Sequence, residues 1–275
     1  MAARDFRGKV LVVTGGASGL GRAIALRFAK SGARVVALDR DQAQIDSFAS
    51  ELAALCADSL CMTVDVTDAP ACDEAIAAAV ARFGNIDVLV NNAGISHRSG
   101  FAATKPEVIR RVVEVNFFGA VNCTHAALPH LLASRGVIVA ISSVAGFAPL
   151  IGRTAYAASK HALHGFFESL RTEVAPAGVD VVMICPSFVA TGIDRHALGA
   201  DGRPVRHAQV VVGERATPEA VADRIFGAAS RGEPLVLIGR TAKLAWWVSR
   251  LAPRYYERAV AKRLRAEIDD DRSGS

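Results

Sequence analysis

Residues 9–21, KVLVVTGGASGLG, decide the fold. Lys9–Thr14 is a continuous β-branched run of the kind that fills a buried parallel strand. It meets a glycine-rich turn at once, and an apolar-periodic helix follows from about Leu20 to Lys30. Strand, glycine turn and helix in that order form the first half of a βαβ unit. The helix N-terminus offers unpaired N–H groups and the positive end of its dipole to a phosphate. Gly15, Gly19 and Gly21 permit positive φ, close approach of the backbone to that phosphate, and tight helix–strand contact. Thr14, Ser18 and Leu20 complete the turn. Any tight βα turn can use glycine, so the placement in the first unit carries more weight than the triplet itself.

The same alternation runs outward along the chain. Arg34–Asp39, Ser59–Val64, Ile86–Asn91, Gly136–Ser142, Val179–Cys185 and Pro234–Ile238 read as six further strands. Helical periodicity fills the gaps over Gln42–Leu55, Pro70–Phe83, Pro106–Ala133, Ala155–Val174 and Pro218–Ser230. Buried strands separated by helices imply an α/β fold, a doubly wound parallel seven-stranded sheet with helices on both faces. Residues 1–240 form one domain, including a substrate-binding loop at about 187–216. Residues 241–275 form a C-terminal helical extension and a disordered tail. In the extension Leu244, Trp247, Val248 and Leu251 follow helical spacing, Pro253 interrupts, and Tyr256, Val260 and Leu264 resume. Two short amphipathic helices are expected, packing that stripe on the body or another subunit, with a basic membrane-surface patch as the alternative.

Composition narrows the class. Of 275 residues 51% are hydrophobic and 21% charged, with a net charge of +5, which excludes a disordered chain. Between Arg240 and Ala266 stand eight Lys/Arg and one Glu, leaving 24 basic and 26 acidic residues elsewhere. The excess is local, not a distributed nucleic-acid surface, so no nucleic-acid partner is expected. The segment MAARDFRGKV has no apolar core of a secretory signal, and no run approaches a membrane span. The five cysteines are odd in number and lack CxxC spacing; reduced thiols in a cytoplasmic protein fit them, with peripheral membrane contact through 241–266 left open.

Asp39 ends the second strand, 18 residues beyond Gly21. A carboxylate there accepts hydrogen bonds from ribose hydroxyls and repels a 2′-phosphate, which favours NAD. Ser18, in place of a basic residue, points the same way. Arg40 follows at once and suits a 2′-phosphate, which leaves NADP open.

Tyr156 and Lys160 lie four apart on one helix face, and Ser143 ends a strand 13 residues before the tyrosine. With the glycine turn these residues resemble the classical short-chain dehydrogenase/reductase family. The matching elements run in the family's order: TGGASGLG at 14–21, Asp39, Asp65-Val66, the run Asn91-Asn92-Ala93-Gly94, Asn116, Ser142-Ser143, Tyr156 to Lys160, and Pro186 with Thr191. The resemblance implies a Rossmann-like fold and a catalytic tetrad of Asn116, Ser143, Tyr156 and Lys160. It implies that Asp65 and Val66 hold adenine and that Asn92, Ala93 and Gly94 line the cofactor channel. It also implies that Pro186, Val189 and Thr191 face the nicotinamide, and that the long helices pair across a homodimer or homotetramer. Where the family usually has Pro-Gly this chain has Pro186-Ser187, so Ser187 shifts that loop or imposes a negative φ.

The implied reaction interconverts a secondary alcohol and a ketone, with Tyr156 as general acid/base. A tyrosine near pKa 10 is a poor base at neutral pH, and a neighbouring ammonium stabilises its phenolate. Ser143 would stabilise the developing oxyanion. Phe147, Leu150 and Phe188 beside Ser143 point to a hydrophobic substrate. The loop at 196–213 with the basic aromatic C-terminus is similar to lipid- and steroid-metabolising members. His161, His164 and Glu168 share a helix face, but the chemistry needs no metal and none is assigned. A catalytically inactive nucleotide-binding regulatory or scaffold protein is the competing function, and the intact tetrad argues against it.

Overall fold

The computed structural model describes residues 3–56, 58–194, 196–205, 211 and 213–264. The tail at 265–275 and part of the loop at 187–216 therefore lie outside the described residues. Seven parallel strands form one sheet in the order β3-β2-β1-β4-β5-β6-β7: β1 Val10–Thr14, β2 Arg34–Asp39, β3 Ser59–Thr63, β4 Val88–Asn91, β5 Val137–Ile141, β6 Asp180–Pro186 and β7 Leu235–Ile238. The order reverses between β1 and β4, and the crevice at the carboxyl ends of those strands is where such sheets take ligands.

The central strands are covered on both faces, which is why their runs read as continuously apolar, whereas the edge strands β3 and β7 stay partly exposed. On one side α1 (Gly19–Ala29), α2 (Gln42–Leu55) and α7 (Pro218–Arg231) bury Ile24, Phe28, Phe48 and Ile225 against Val13, Val35 and Val139. On the other, α3 (Ala69–Phe83), α5 (Gly119–Ser134) and α6 (Thr154–Val174) bury Ile76, Leu131 and Phe167 against Val12, Leu89 and Ile138. Each fully buried Leu or Phe of these layers contributes roughly 1.5–3 kcal/mol. Local signals set the helix starts. Asp41, Asp68 and Thr217 each accept a hydrogen bond from a first-turn amide of α2, α3 and α7.

The expected single helix over Pro106–Ala133 is instead α4 (Pro106–Val113), a π-helical turn at Glu114–Phe118, and α5. Asn116 sits inside the π turn, where its amide clasps the backbone of Ile95. Such one-turn insertions occur mostly at functional sites.

After β7 the chain forms α8 (Arg240–Leu251) and α9 (Pro253–Leu264), with Pro253 opening the second helix. The packed face of α8 differs from the expected stripe. Ala242 and Ala245 are buried against Val144 and Ala148, and Trp246 packs edge-on to Phe147 at 4.9 Å. Trp247 and Leu251 face outward, and Leu244 stays largely exposed. Small residues let α8 approach the Val144–Gly146 turn closely, and that contact outweighs burial of the larger stripe. No described helix is long and apolar enough to cross a membrane.

Candidate active site

A cavity of about 830 Å³ opens at the carboxyl ends of β1, β4, β5 and β6. Its first part is built from the glycine turn. Gly15 takes φ +60°, and a Cβ there would stand 3.1 Å from the Ala93 Cα. Only glycine fits the conformation and the contact together. Gly21 has another reason: its Cβ would fall 1.9 Å from the Gly15 carbonyl oxygen, so α1 closes onto the turn only without a side chain. Gly15, Ser18, Gly19 and Leu20 line the cavity, whereas Thr14 and Gly21 lie behind its wall. The Thr14 hydroxyl accepts hydrogen bonds from the amides of Asn92 and Ala93, both at 3.0 Å, and so locks β1 to the end of β4.

Asp39 and Arg40 both reach the cavity, with Asp65, Val66, Asn92, Ala93 and Gly94 further along the wall. The Asp39 carboxylate accepts from the Ala17 amide at 3.2 Å and from the Asp41 amide at 3.3 Å, so it is held in place at the end of β2. Asn92 donates through its side chain to the carbonyls of Thr14 and Gly15, at 3.0 and 3.2 Å, and shapes the turn from below. These features fit a dinucleotide: a bare helix N-terminus for the phosphates and a fixed carboxylate for ribose.

At the far end stand Ser143, Tyr156 and Lys160, with Pro186, Val189 and Thr191 from the loop after β6. Ser143 caps a one-turn helix at Val144–Gly146, and its hydroxyl accepts from the Ala145 amide at 3.2 Å. Ser142 is buried beside it and also borders the cavity. Lys160 is buried on α6, one turn beyond Tyr156, with its Nζ 5.6 Å from the tyrosine ring centre. That ammonium donates to the Ile141 carbonyl at 2.8 Å. Burial pulls its pKa down from 10.5 to about 8. Beneath it, burial pushes the Cys185 thiol up to about 12, so Cys185 is a neutral neighbour at physiological pH. Ser187 causes no strain, because Arg135 is the one non-glycine with positive φ among the described residues.

Asn116 does not face the cavity. Its Oδ1 accepts from the Ile95 amide at 2.7 Å, and its Nδ2 donates to the Ile95 carbonyl at 3.0 Å and the Ser159 hydroxyl at 2.9 Å. Ser159 in turn donates to the Tyr156 carbonyl at 2.8 Å. The side chain therefore acts as a brace between the Ile95 turn and the helix carrying Tyr156, not as a group pointing at the reactants.

Leu150 and Phe188 line the cavity, but Phe147 does not. Its ring is wedged between His164 and Trp246, because α8 covers that side of the turn. Two contributions to the wall were not anticipated. Arg153, only 4% exposed, reaches the cavity, and a lone loop arginine carries no sequence signal for that. Leu244, Val248, Tyr256 and Val260 make α8 and α9 a wall of the same cavity. Their helical spacing was visible, but not what they would face. His164 pairs with Glu168 at 3.0 Å and its ring nitrogen lies 3.5 Å from the Cys185 sulfur, behind the site.

Comparison with known proteins agrees with this arrangement. The short chain dehydrogenase family profile matches residues 9–200. Dehydrogenase/reductase SDR family member 7B of Bos taurus is 38% identical over 269 residues, which cover 95% of this chain and 83% of the relative. Dehydrogenase/reductase SDR family protein 7-like of Anopheles gambiae is 35% identical, over 95% of this chain and 84% of its own. The crystal structure of a short chain dehydrogenase/reductase from Burkholderia phymatum in complex with NAD superposes with a TM-score of 0.82 at 26% identity, covering 92% of this chain and 96% of that one. With the glycine turn, the parallel sheet and the Ser-Tyr-Lys end of the cavity in the family's order, the chain belongs to the short-chain dehydrogenase/reductase family of oxidoreductases.

Proposed function

We propose that this oxidoreductase interconverts a secondary alcohol and a ketone on a hydrophobic, lipid- or steroid-like substrate, with NAD as its preferred dinucleotide. One observation carries the reading: Ser143, Tyr156 and a buried Lys160 share one end of a cavity whose other end holds Gly15 and Asp39. A bound nicotinamide would supply or accept the hydride, held by Val189 and Thr191. The Ser143 hydroxyl donates to the substrate oxygen and stabilises charge that grows there in the transition state. In reduction the proton on the Tyr156 hydroxyl moves to that oxygen; in oxidation the tyrosine takes it back. Lys160, with a pKa of about 8, is still largely an ammonium at neutral pH and favours the phenolate through space. Asn116, through Ser159 and Ile95, keeps this helix and turn in register.

The NAD preference rests on Asp39, a fixed carboxylate at the ribose end that opposes a 2′-phosphate, against which Arg40 works. The substrate class rests on Leu150, Phe188, Val248 and Val260 at the substrate end. Family likeness also supports a homodimer or homotetramer through α5 and α6, beside which Phe118 and Leu132 stay exposed. The test is a spectrophotometric panel, NADH or NADPH against ketones of increasing apolar size. Faster turnover with NADH and with the larger apolar ketones is expected. Activity confined to short hydrophilic ketones would overturn the substrate class, and none with either dinucleotide would overturn the reaction.

A further inference from the structure

Half of the large apolar side chains left exposed among the described residues fall in one segment of the chain. Of eight, Leu244, Trp247, Leu251 and Tyr255 lie in α8 and α9, at 61–78% exposure. A cluster of this kind on an otherwise well-packed chain marks a surface that something covers. Two of the four, Leu244 and Tyr255, also line the cavity, so its apolar wall runs out to the protein surface at this point.

The charges around the cluster identify the covering. On α8 the helical period sets Lys243 and Arg250 along one side of the Leu244–Trp247–Leu251 strip. On α9, Arg254, Arg258 and Lys262 recur every fourth residue and form a single exposed row. From Arg240 to Leu264 the count is seven Lys/Arg against Glu257 alone. Long basic side chains at the edge of an apolar strip place their stems on the apolar side and their charges at a polar boundary. A second copy docked two-fold on this face would set two strongly basic segments against each other, which opposes association. An anionic lipid surface offers the reverse: acyl chains for the tryptophan and leucines, and headgroup charge for the lysines and arginines.

We propose that α8 and α9 dock this protein on an anionic membrane surface and open the cavity onto the lipid, from which its substrate enters. The docking stands on the surface alone; the entry route rests on the oxidoreductase reading above. The acidic residues Glu267, Asp269, Asp270 and Asp271 that follow in sequence lie outside the described residues.

The test is co-sedimentation of the full chain with vesicles of phosphatidylcholine alone, and of phosphatidylcholine with about one-third phosphatidylserine. Binding to the anionic vesicles, released by salt, is the expected result. Arg254→Ala/Arg258→Ala/Lys262→Ala should weaken it by about a hundredfold, at about fivefold for each basic side chain removed from the surface. Trp247→Glu/Leu251→Glu should abolish it and the blue shift of tryptophan emission that accompanies it. None of these five side chains lines the cavity, so both variants keep wild-type turnover of a water-soluble ketone and an unchanged circular dichroism spectrum. Absence of binding to anionic vesicles, or equal binding to neutral ones, would overturn the proposal. So would self-association of the full chain that the Trp247→Glu/Leu251→Glu pair disrupts, since a second copy would then cover the face. A chain that binds vesicles but turns over no ketone would leave the docking intact and refute the oxidoreductase reading instead.

Discussion

Replacing Lys160 by Met should change how stability depends on pH, by an amount the structure sets. Lys160 is 4% exposed, and burial holds its pKa at about 8 against 10.5 for a free lysine. At 1.36 kcal/mol per unit, carrying the buried ammonium costs the fold about 3 kcal/mol at pH 7. The sign follows from proton counting. Between pH 8 and 10.5 the unfolded chain keeps the proton and the folded chain has released it, so stability rises with pH in that window. Below pH 8 both states are protonated and the full cost is present. From pH 7 to pH 10 the wild type should therefore gain about 2–3 kcal/mol relative to Lys160→Met. The variant also leaves the Ile141 carbonyl without its donor, at about 1–3 kcal/mol, but that loss is the same at every pH. The slope is thus the test and the offset is not. Urea unfolding followed by circular dichroism at pH 7, 8, 9 and 10 on both proteins measures it. A stability difference that stayed constant across this range would refute the argument, because a surface-like lysine titrates identically in both states. On the mechanism proposed above the variant should also lose turnover, because that mechanism uses the charge beside Tyr156.

Three further outcomes follow from the site. Tyr156→Phe should lower ketone reduction by about 10²–10⁴-fold while NADH fluorescence titration shows unchanged binding, since only the transferable proton is removed. Asp39→Ala should move the NADH-to-NADPH preference towards NADPH by at least about tenfold in kcat/KM, the equivalent of about 1.4 kcal/mol from losing one fixed carboxylate; an unchanged ratio would assign selectivity elsewhere. Gly21→Ala places a methyl 1.9 Å from the Gly15 carbonyl oxygen, so the turn must open; thermal unfolding should show a loss of at least about 1–3 kcal/mol, together with weaker dinucleotide binding.

How far the site could be read in advance depended on how local its causes are. The turn at 14–21 was legible because positive φ and close approach select glycine whatever surrounds them. Tyr156 and Lys160 were legible as a pair because helical spacing alone puts them on one face. The π turn was not: nothing in Glu114–Phe118 distinguishes it from helix, and what stabilises it there is the clasp between Asn116 and Ile95, 21 residues away. As an apolar neighbour of Ser143, Phe147 reads as a pocket residue, yet its position is set by Trp246, about a hundred residues later.

The amino-acid sequence by itself determined the order of strands and helices, the parallel sheet and the residues at the ends of its strands. Periodicity, glycine placement and capping act within a few residues and need no partner. Only the tertiary structure decided which surface each of these residues meets. An amphipathic period says that a helix has two faces, not what either will touch. On α8 the small Ala242 and Ala245 won the body because they allow the closest backbone approach. That choice turned Trp247 and Leu251 outward, and with α9 it made a basic, apolar extension into one wall of the cavity.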